Sequence, residues 1–242
     1  AVLSTACWGL TLFSLFPIFA LAFKAGSGGG FAKVGQWVGG SLLSSLVSSG
    51  FAATIIVGIG AVLGHARARE LPGSRFPDLV GVLAFVAPAV LLGVGIIALW
   101  NRPSPRLIYG GVGVIVIGYV ARYSIVGIRT VAVAVAQSRL SLEQAAAAFG
   151  AGYTRRLFSI VLPMHRRTLA VAWLLAAVFC LRDLETAVLY YPPDWQPLTV
   201  RIFTLEANGP EAVVAGLAMV QVAVTMVMLA LGLLVLTRRS GK

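Results

Sequence analysis

The sequence is short of charge, and above all of negative charge. Only 11% of its 242 residues are charged, and eight Asp and Glu stand against 19 Lys and Arg, a formal net charge of +11. Ordinary soluble domains carry about a quarter charged residues, because they need a polar surface. With 59% hydrophobic residues and a mean hydropathy of +0.93, the chain is predicted to be an integral membrane protein.

Cysteine and histidine are also scarce. Cys7 and Cys180 lie in apolar stretches and have no metal-binding spacing, and His65 and His165 lack the H-x-x-x-H pattern. Neither a metal site nor a catalytic constellation is therefore predicted, and both histidines are interpreted as interfacial residues. The sequence has no G-x-x-x-x-G-K-[ST] loop for nucleotide phosphates, so we expect no ATP hydrolysis and no cofactor on this chain. The cations cluster at the ends of apolar runs, which favours membrane topology over nucleic-acid binding.

Six apolar runs are long enough to cross a membrane. A spanning helix needs about 20 mostly apolar residues. The runs cover roughly 2–23, 41–64, 79–100, 107–126, 168–189 and 213–236. We expect an all-α integral membrane protein with six transmembrane helices, forming a single domain over 1–242 with its core at 41–236.

The distribution of cations predicts the orientation of these spans. Lys and Arg are enriched in cytoplasmic loops. Most cations lie at 67–75, 129–167 and 238–242, whereas few lie at 24–33, 102–106 and 201. Both termini are therefore predicted to be cytoplasmic, together with the long link between spans four and five.

That link contains LEQAAAAFGAGYTRRLFSIVLP, residues 142–163, which is too short and too broken to cross a membrane. Its pattern predicts two short helices. Ser141 and Gln144 form an S-x-x-Q capping box that would begin the first helix, and Gly150 would end it. Thr154 would cap the second helix, which Pro163 would stop.

The first short helix is predicted to have an exposed docking face. Residues at i, i+3, i+4 and i+7 share one face of a helix. These are Leu142, Ala145, Ala146 and Phe149. A shallow apolar ridge of this kind is typical of helices that dock into a groove of another protein; the alternative is an interfacial helix on lipid, which small alanines disfavour. Arg155 and Arg156 lie at the start of the second helix, where the helix dipole disfavours cations. We therefore expect another interaction to explain their position.

The same stretch resembles the cytoplasmic motif of the inner-membrane permeases of ABC importers. That motif reads EAA, three residues, Gly, nine residues, Ile, one residue, Leu-Pro. The matching positions are Gln144-Ala145-Ala146, Gly150, Ile160, Leu162 and Pro163. One departure is that Gln144 replaces the motif glutamate, although Glu143 is adjacent. A charged contact with the partner would then be weakened or made by Glu143.

The resemblance implies a transport subunit rather than an enzyme. In that family the motif forms a coupling helix, which sits in a cleft of an ATPase subunit and switches the permease between inward-open and outward-open states. The implied partners are an ATPase dimer that binds ATP-Mg, a second permease half, an extracytoplasmic substrate-binding protein and the lipid bilayer of the bacterial cytoplasmic membrane. The implied coupling residues are Glu143, Gln144, Ala145, Ala146, Phe149, Gly150, Ile160, Leu162 and Pro163.

A further resemblance concerns the substrate. The stretch LRDLETAVLYYPPDWQPLTVRIFTL, residues 181–205, is similar to the second half of ferric-iron-type permeases. It implies iron(III) as the substrate and this chain as the C-terminal half of a longer fused permease. Thiamine, polyamine and sulfate are the alternative substrates. An ion-coupled secondary carrier is the alternative mechanism, although such carriers often show internal repeats and no repeat is evident here.

Four charged residues fall in predicted spans four and five. Charges within a membrane are costly and usually face a partner or a cavity. Arg182 and Glu185 have the i, i+3 spacing of a pair on one helix face, which leaves Asp183 to pair with Arg122 across the spans. These residues are either a structural ion-pair cluster near the outer interface or candidate pathway and gate residues.

Overall fold

A computed structural model describes residues 2–100 and 111–237. Within those two ranges every regular element is a helix, and no strand occurs. The helices are α1 (Val2–Ser27), α2 (Gly30–Val38), α3 (Ser41–Ala68), α4 (Arg75–Val86), α5 (Ala89–Trp100), α6 (Val112–Ala136), α7 (Leu140–Ala148), α8 (Tyr153–Met164), α9 (Arg166–Arg182), α10 (Ala187–Tyr190), α11 (Leu198–Asn208) and α12 (Glu211–Thr237). The predicted all-α class is confirmed for this part of the chain.

Four helices are each long and apolar enough to cross a membrane. They are Trp8–Ser27 of α1, then α3, α6 and α12. Two further pairs meet the criterion only when taken together, α4 with α5, which are bent by 110°, and α8 with α9, which are bent by 81°. The described residues therefore provide four candidate spans, or six if each bent pair crosses once.

The third predicted span is broken rather than continuous. The run 79–100 contains Pro88, and α4 ends at Val86 while α5 begins at Ala89. Ala87 between them is extended, with φ −58° and ψ 141°. A proline disfavours helical backbone in the residue before it and has no N–H to donate. The expectation of one straight helix here is therefore wrong.

The fourth and fifth predicted spans have different ends. The start of the fourth, at 107–110, lies outside the described residues, and α6 continues to Ala136, well past the predicted end at Val126. The fifth ends at Arg182 instead of Leu189, because the backbone of Asp183 is extended. Asp183 and Glu185 thus follow the end of α9, and their predicted place inside a continuous span is wrong.

Helices α3, α6 and α9 form the core, and glycines let α3 and α6 approach closely. A Cβ added at Gly60 would lie 2.5 Å from the carbonyl carbon of Gly127, and one added at Gly127 would lie 2.4 Å from the carbonyl oxygen of Ile56. Small residues permit such backbone approach between membrane helices. Just after this contact, residues Gly60–Gly64 of α3 form a π-helical turn, and the helix then continues through His65 to Ala68.

Candidate functional site

The two short helices predicted in the 142–163 stretch are present as α7 and α8. Gly150 ends the first, and its φ of +82° lies in the left-handed region that favours glycine. The predicted caps are wrong, however. The residue before α7 is Arg139, so Ser141 lies inside the helix. The residue before α8 is Gly152, so Thr154 lies inside that helix too.

Glu143 faces inward from α7, towards the end of α3. Its residue is only 4% exposed. His65 Nε2 donates to its Oε2 at 2.9 Å, and Arg69 donates to its Oε1 from Nε at 2.9 Å and from Nη2 at 2.5 Å. A buried carboxylate is tolerated only when it is paired and hydrogen-bonded in this way. Glu143 therefore fastens α7 to α3.

The network reaches two more elements. Nη2 of Arg69 also donates to the hydroxyl of Ser138 at 2.9 Å, just beyond α6. The hydroxyl of Tyr153, at the start of α8, lies 3.2 Å from Nδ1 of His65, and it donates to that nitrogen when the ring proton is on Nε2. We call Glu143, His65, Arg69, Ser138 and Tyr153 the anchor network. It joins α3, α6, α7 and α8 at one end of the bundle.

The anchor network keeps its carboxylate charged. Burial alone would raise the pKa of the Glu143 carboxyl. The hydrogen bonds from His65 and Arg69, together with the positive charge beside the carboxylate, outweigh that effect and hold its pKa below the usual range. Glu143 is therefore ionised at neutral pH, and α7 is held by charge-assisted hydrogen bonds, which are about twice as strong as neutral ones.

The expected contact of Glu143 with a partner stays a prediction. Both of its oxygens already accept hydrogen bonds within the chain, which disfavours such a contact. Gln144, the next residue, is exposed. His65 is not the plain interfacial residue expected from the sequence. It lies 78 residues from Glu143 in sequence, so no local sequence pattern predicts their contact.

The predicted apolar face of α7 lies on the surface. Phe149 is 94% exposed and Leu142 is 49% exposed; Ala145 is exposed and Ala146 is half-buried. We call these four residues the α7 ridge. Helix α8 packs against α6 through Leu157 and Val161, which contact Val131 and Val135. Beyond them Ile160 and Leu162 are half-buried and Pro163 is exposed.

The second group of predicted residues is paired differently from the expectation. Nη2 of Arg122 lies 3.0 Å from Oε2 of Glu185. Buried Asp183 instead accepts a hydrogen bond from the Tyr123 hydroxyl at 2.8 Å. It also accepts one from the backbone N–H of Thr186 at 2.9 Å and one from the Thr186 hydroxyl. The expected pairs Arg122–Asp183 and Arg182–Glu185 are therefore wrong. Because α9 ends at Arg182, the i, i+3 geometry of a helix is not available.

Asp183 and Glu185 are expected to differ sharply when they are neutralised. Asp183→Asn puts an amide donor among three existing donors and should cost about 1–3 kcal/mol of stability. Glu185→Gln removes a partner whose side chain is 71% exposed, so the cost should be at most about 1 kcal/mol. Thermal unfolding of the purified protein measures both. Equal losses of stability would contradict the assignment of Asp183 as the buried, hydrogen-bonded carboxylate and Glu185 as the exposed one. A loss of uptake in a stable Glu185→Gln variant would support a gate at Glu185.

Comparison with known proteins finds that the chain is similar to subunits of transporters. No family model matches the chain. The chain is 27% identical, over 192 residues, to PhnV of Salmonella typhimurium and to PhnV of Salmonella paratyphi A. The names of these two permease proteins assign them provisionally to a 2-aminoethylphosphonate transport system. The match covers 78% of this chain and 71% of theirs. The structure of the chain is similar to that of the bacterial alginate ABC transporter solved with an alginate pentasaccharide-bound periplasmic protein (TM-score 0.73, 16% identity, 96% of this chain and 90% of that one).

A second solved structure agrees with the first. The MetNI methionine ABC transporter, in inward-facing conformations, aligns with a TM-score of 0.63 at 16% identity, over 82% of this chain and 92% of that one. The chain has the fold of an ABC importer permease. The predicted resemblance to ABC importer permeases is thus confirmed. The resemblance to ferric-iron-type permeases is not confirmed, because the names of these relatives give no support to iron(III) as the substrate. The alternative of an ion-coupled carrier is also not favoured.

Proposed function

We propose that this chain is a permease subunit of an ATP-driven importer in the bacterial cytoplasmic membrane. In this proposal it crosses the membrane six times, each bent helix pair forming one span, and both termini are cytoplasmic. The excess of Lys and Arg at 67–75 and 129–167 supports that orientation. The similarity to transport permeases in sequence and fold supports the function.

The α7 ridge is the observation that carries this proposal. An almost fully exposed phenylalanine beside exposed leucine and alanine is unfavourable in water, which supports a docking surface here. Burial of Phe149 in a groove would contribute about 1.5–3 kcal/mol. In the proposal α7 is the coupling helix and enters a cleft of the ATPase subunit. The anchor network then makes α7 move together with the ends of α3 and α6 when the ATPase dimer closes.

The remaining parts of the transporter are supplied by other subunits. ATP-Mg is bound and hydrolysed on the ATPase dimer, and a second permease half, fused or separate, completes the pathway. An extracytoplasmic binding protein delivers the solute. Purification of the full-length source protein from native membranes identifies these partners, since an ATPase and a binding protein are expected to copurify with it. Recovery of the protein alone, with transport intact, would contradict the importer assignment.

The substrate we propose is a small organic phosphonate. The names of the sequence relatives support this class, whereas nothing in them supports iron(III). The test is the ligand that copurifies with the binding protein, identified by mass spectrometry. A phosphonate is expected there, and bound iron(III) or an unrelated solute would overturn the substrate assignment without affecting the role of α7.

Loss of the Phe149 side chain is expected to release the ATPase. Phe149→Ala should reduce ATPase retention about 10- to 100-fold, which corresponds to the loss of about 1.5–3 kcal/mol of burial, and should abolish uptake. Phe13→Ala is the matched control, because Phe13 is also largely exposed but lies on α1. Copurification measures retention of the ATPase, and uptake of labelled solute measures transport. Normal values of both for Phe149→Ala would exclude α7 as the coupling helix.

A further inference from the structure

The exposed charges of the 137–167 segment, which contains α7, have a single sign. Between residues 137 and 167 the sequence contains one acidic residue, Glu143, and that carboxylate is buried and fully engaged. The same segment contains five arginines. Arg139, Arg155, Arg166 and Arg167 are exposed, and Arg156 is half-buried. Within this segment the exposed charges are therefore all cationic, and the exposed acidic residue Glu70 follows Arg69 of the anchor network outside it.

Three of these arginines lie close to α7 in the chain and are not explained by contacts within it. Arg139 directly precedes α7, and Arg155 and Arg156 lie in the first turns of α8, where the helix dipole disfavours cations. The ion pairs of the described residues include none of the three. The positions of these arginines therefore point to a partner outside the chain.

Arg156 identifies where that partner would bind. Its Nε is buried and has no hydrogen-bond acceptor in the described part of the protein. The residue lines a recess of about 190 Å³, together with His65, Arg69, Glu143 and Tyr153 of the anchor network. A buried donor without an acceptor is costly and rare in folded proteins. The recess is open enough to admit a side chain that supplies the acceptor.

We propose that a carboxylate of the ATPase subunit enters this recess and pairs with Arg156, while Arg139 and Arg155 attract the acidic surface around it. Arginine binds carboxylates through two parallel hydrogen bonds, which gives the contact direction as well as strength. The sign of the charge on each subunit follows from Gln144, because this uncharged residue leaves the docking face without a negative charge of its own. In this transporter the permease supplies the cation and the ATPase supplies the anion.

The proposal rests on the proposed role of α7, and its test separates the two. The intact complex is reconstituted in nanodiscs of phosphatidylcholine, and ATPase retention is measured between low and high NaCl. Arg156→Gln is expected to lower retention at least tenfold at low salt and to flatten its dependence on salt. Arg156→Lys should retain more of the ATPase than Arg156→Gln does. Arg166→Gln, which removes an exposed arginine that does not line the recess, should stay within about twofold of the parent protein.

The outcomes are distinguishable. Unchanged retention in Arg156→Gln, with retention lost in Phe149→Ala, overturns the acidic contact and leaves the coupling role intact. Unchanged retention in both variants overturns both. An effect of Arg156→Gln that appears only when anionic lipid is added assigns the recess to a lipid headgroup and overturns the proposal. Acidic residues of the ATPase cleft, changed one at a time to Arg, are expected to include one that restores binding to Arg156→Glu.

Discussion

Glu143→Ala is expected to destabilise the protein and to abolish uptake. The substitution leaves the Arg69 guanidinium, whose side chain is only 11% exposed, without its carboxylate. Removal of one partner from a buried ion pair costs about 3–5 kcal/mol, because the other charge stays buried and uncompensated. In addition α7 loses its attachment to α3, so under the proposed function movement of the ATPase would no longer be passed to the bundle. Thermal unfolding and solute uptake measure the two effects separately.

The neighbouring residue provides the control for that experiment. Gln144→Ala changes an exposed side chain on the same helix, and its effect on stability should stay within about 0.5 kcal/mol. The two variants together separate the inward-facing residue from the outward-facing one. A Glu143→Ala protein that unfolds at the parent temperature would show that the anchor network does not hold α7 in place.

Gly127→Leu is expected to prevent α3 and α6 from packing. A Cβ at Gly127 would already lie 2.4 Å from the carbonyl oxygen of Ile56 and 2.9 Å from its side chain, and neither backbone can move without separating the two helices. Overpacking typically costs about 1–3 kcal/mol, and more where the backbone cannot yield, so little folded protein should accumulate in the membrane. The yield of protein in the membrane fraction and its unfolding temperature are the measurements.

Gly58→Leu is the matched control for the packing experiment. Gly58 lies on α3 two residues before the contact and is exposed, and a Cβ added there would have no heavy atom within 4 Å. The same substitution at this position should leave yield and unfolding temperature close to those of the parent. Equal loss of yield in both variants would mean that helix flexibility, rather than the α3–α6 contact, explains the effect of Gly127→Leu.

The sequence is sufficient to predict helices whose signal is local. The start of α3 at Ser41 and the position of α12 follow from long, mostly apolar runs, and those predictions agree with the structure to within two residues. Pro88 also carries a readable signal, since proline disfavours helix in the residue before it. The apolar character of 79–100 masks that signal, because hydropathy measures whether a segment is apolar and not whether it is straight.

The candidate site depends on contacts that no local pattern encodes. The ridge of α7 follows from helical periodicity, and so does the fact that Glu143 lies off that face. Its partners do not, because His65 and Arg69 come from another helix more than 70 residues earlier. The predicted pairing of Arg122 is wrong for a related reason. The spacing rule assumes a continuous helix through Glu185, whereas α9 ends three residues before it.

The π-helical turn at Gly60–Gly64 holds one extra residue without changing where the end of α3 points. A π turn accommodates one residue more than an α-helical turn, and each α-helical residue advances by about 100° around the axis. Deletion of a single residue there would give a regular α-helix that still presents His65 and Arg69 to Glu143. Deletion of a residue from the α-helical part of α3 would instead turn both side chains about 100° away. Among related permeases, a chain that is one residue shorter at this turn should therefore keep the residues at positions 65, 69 and 143.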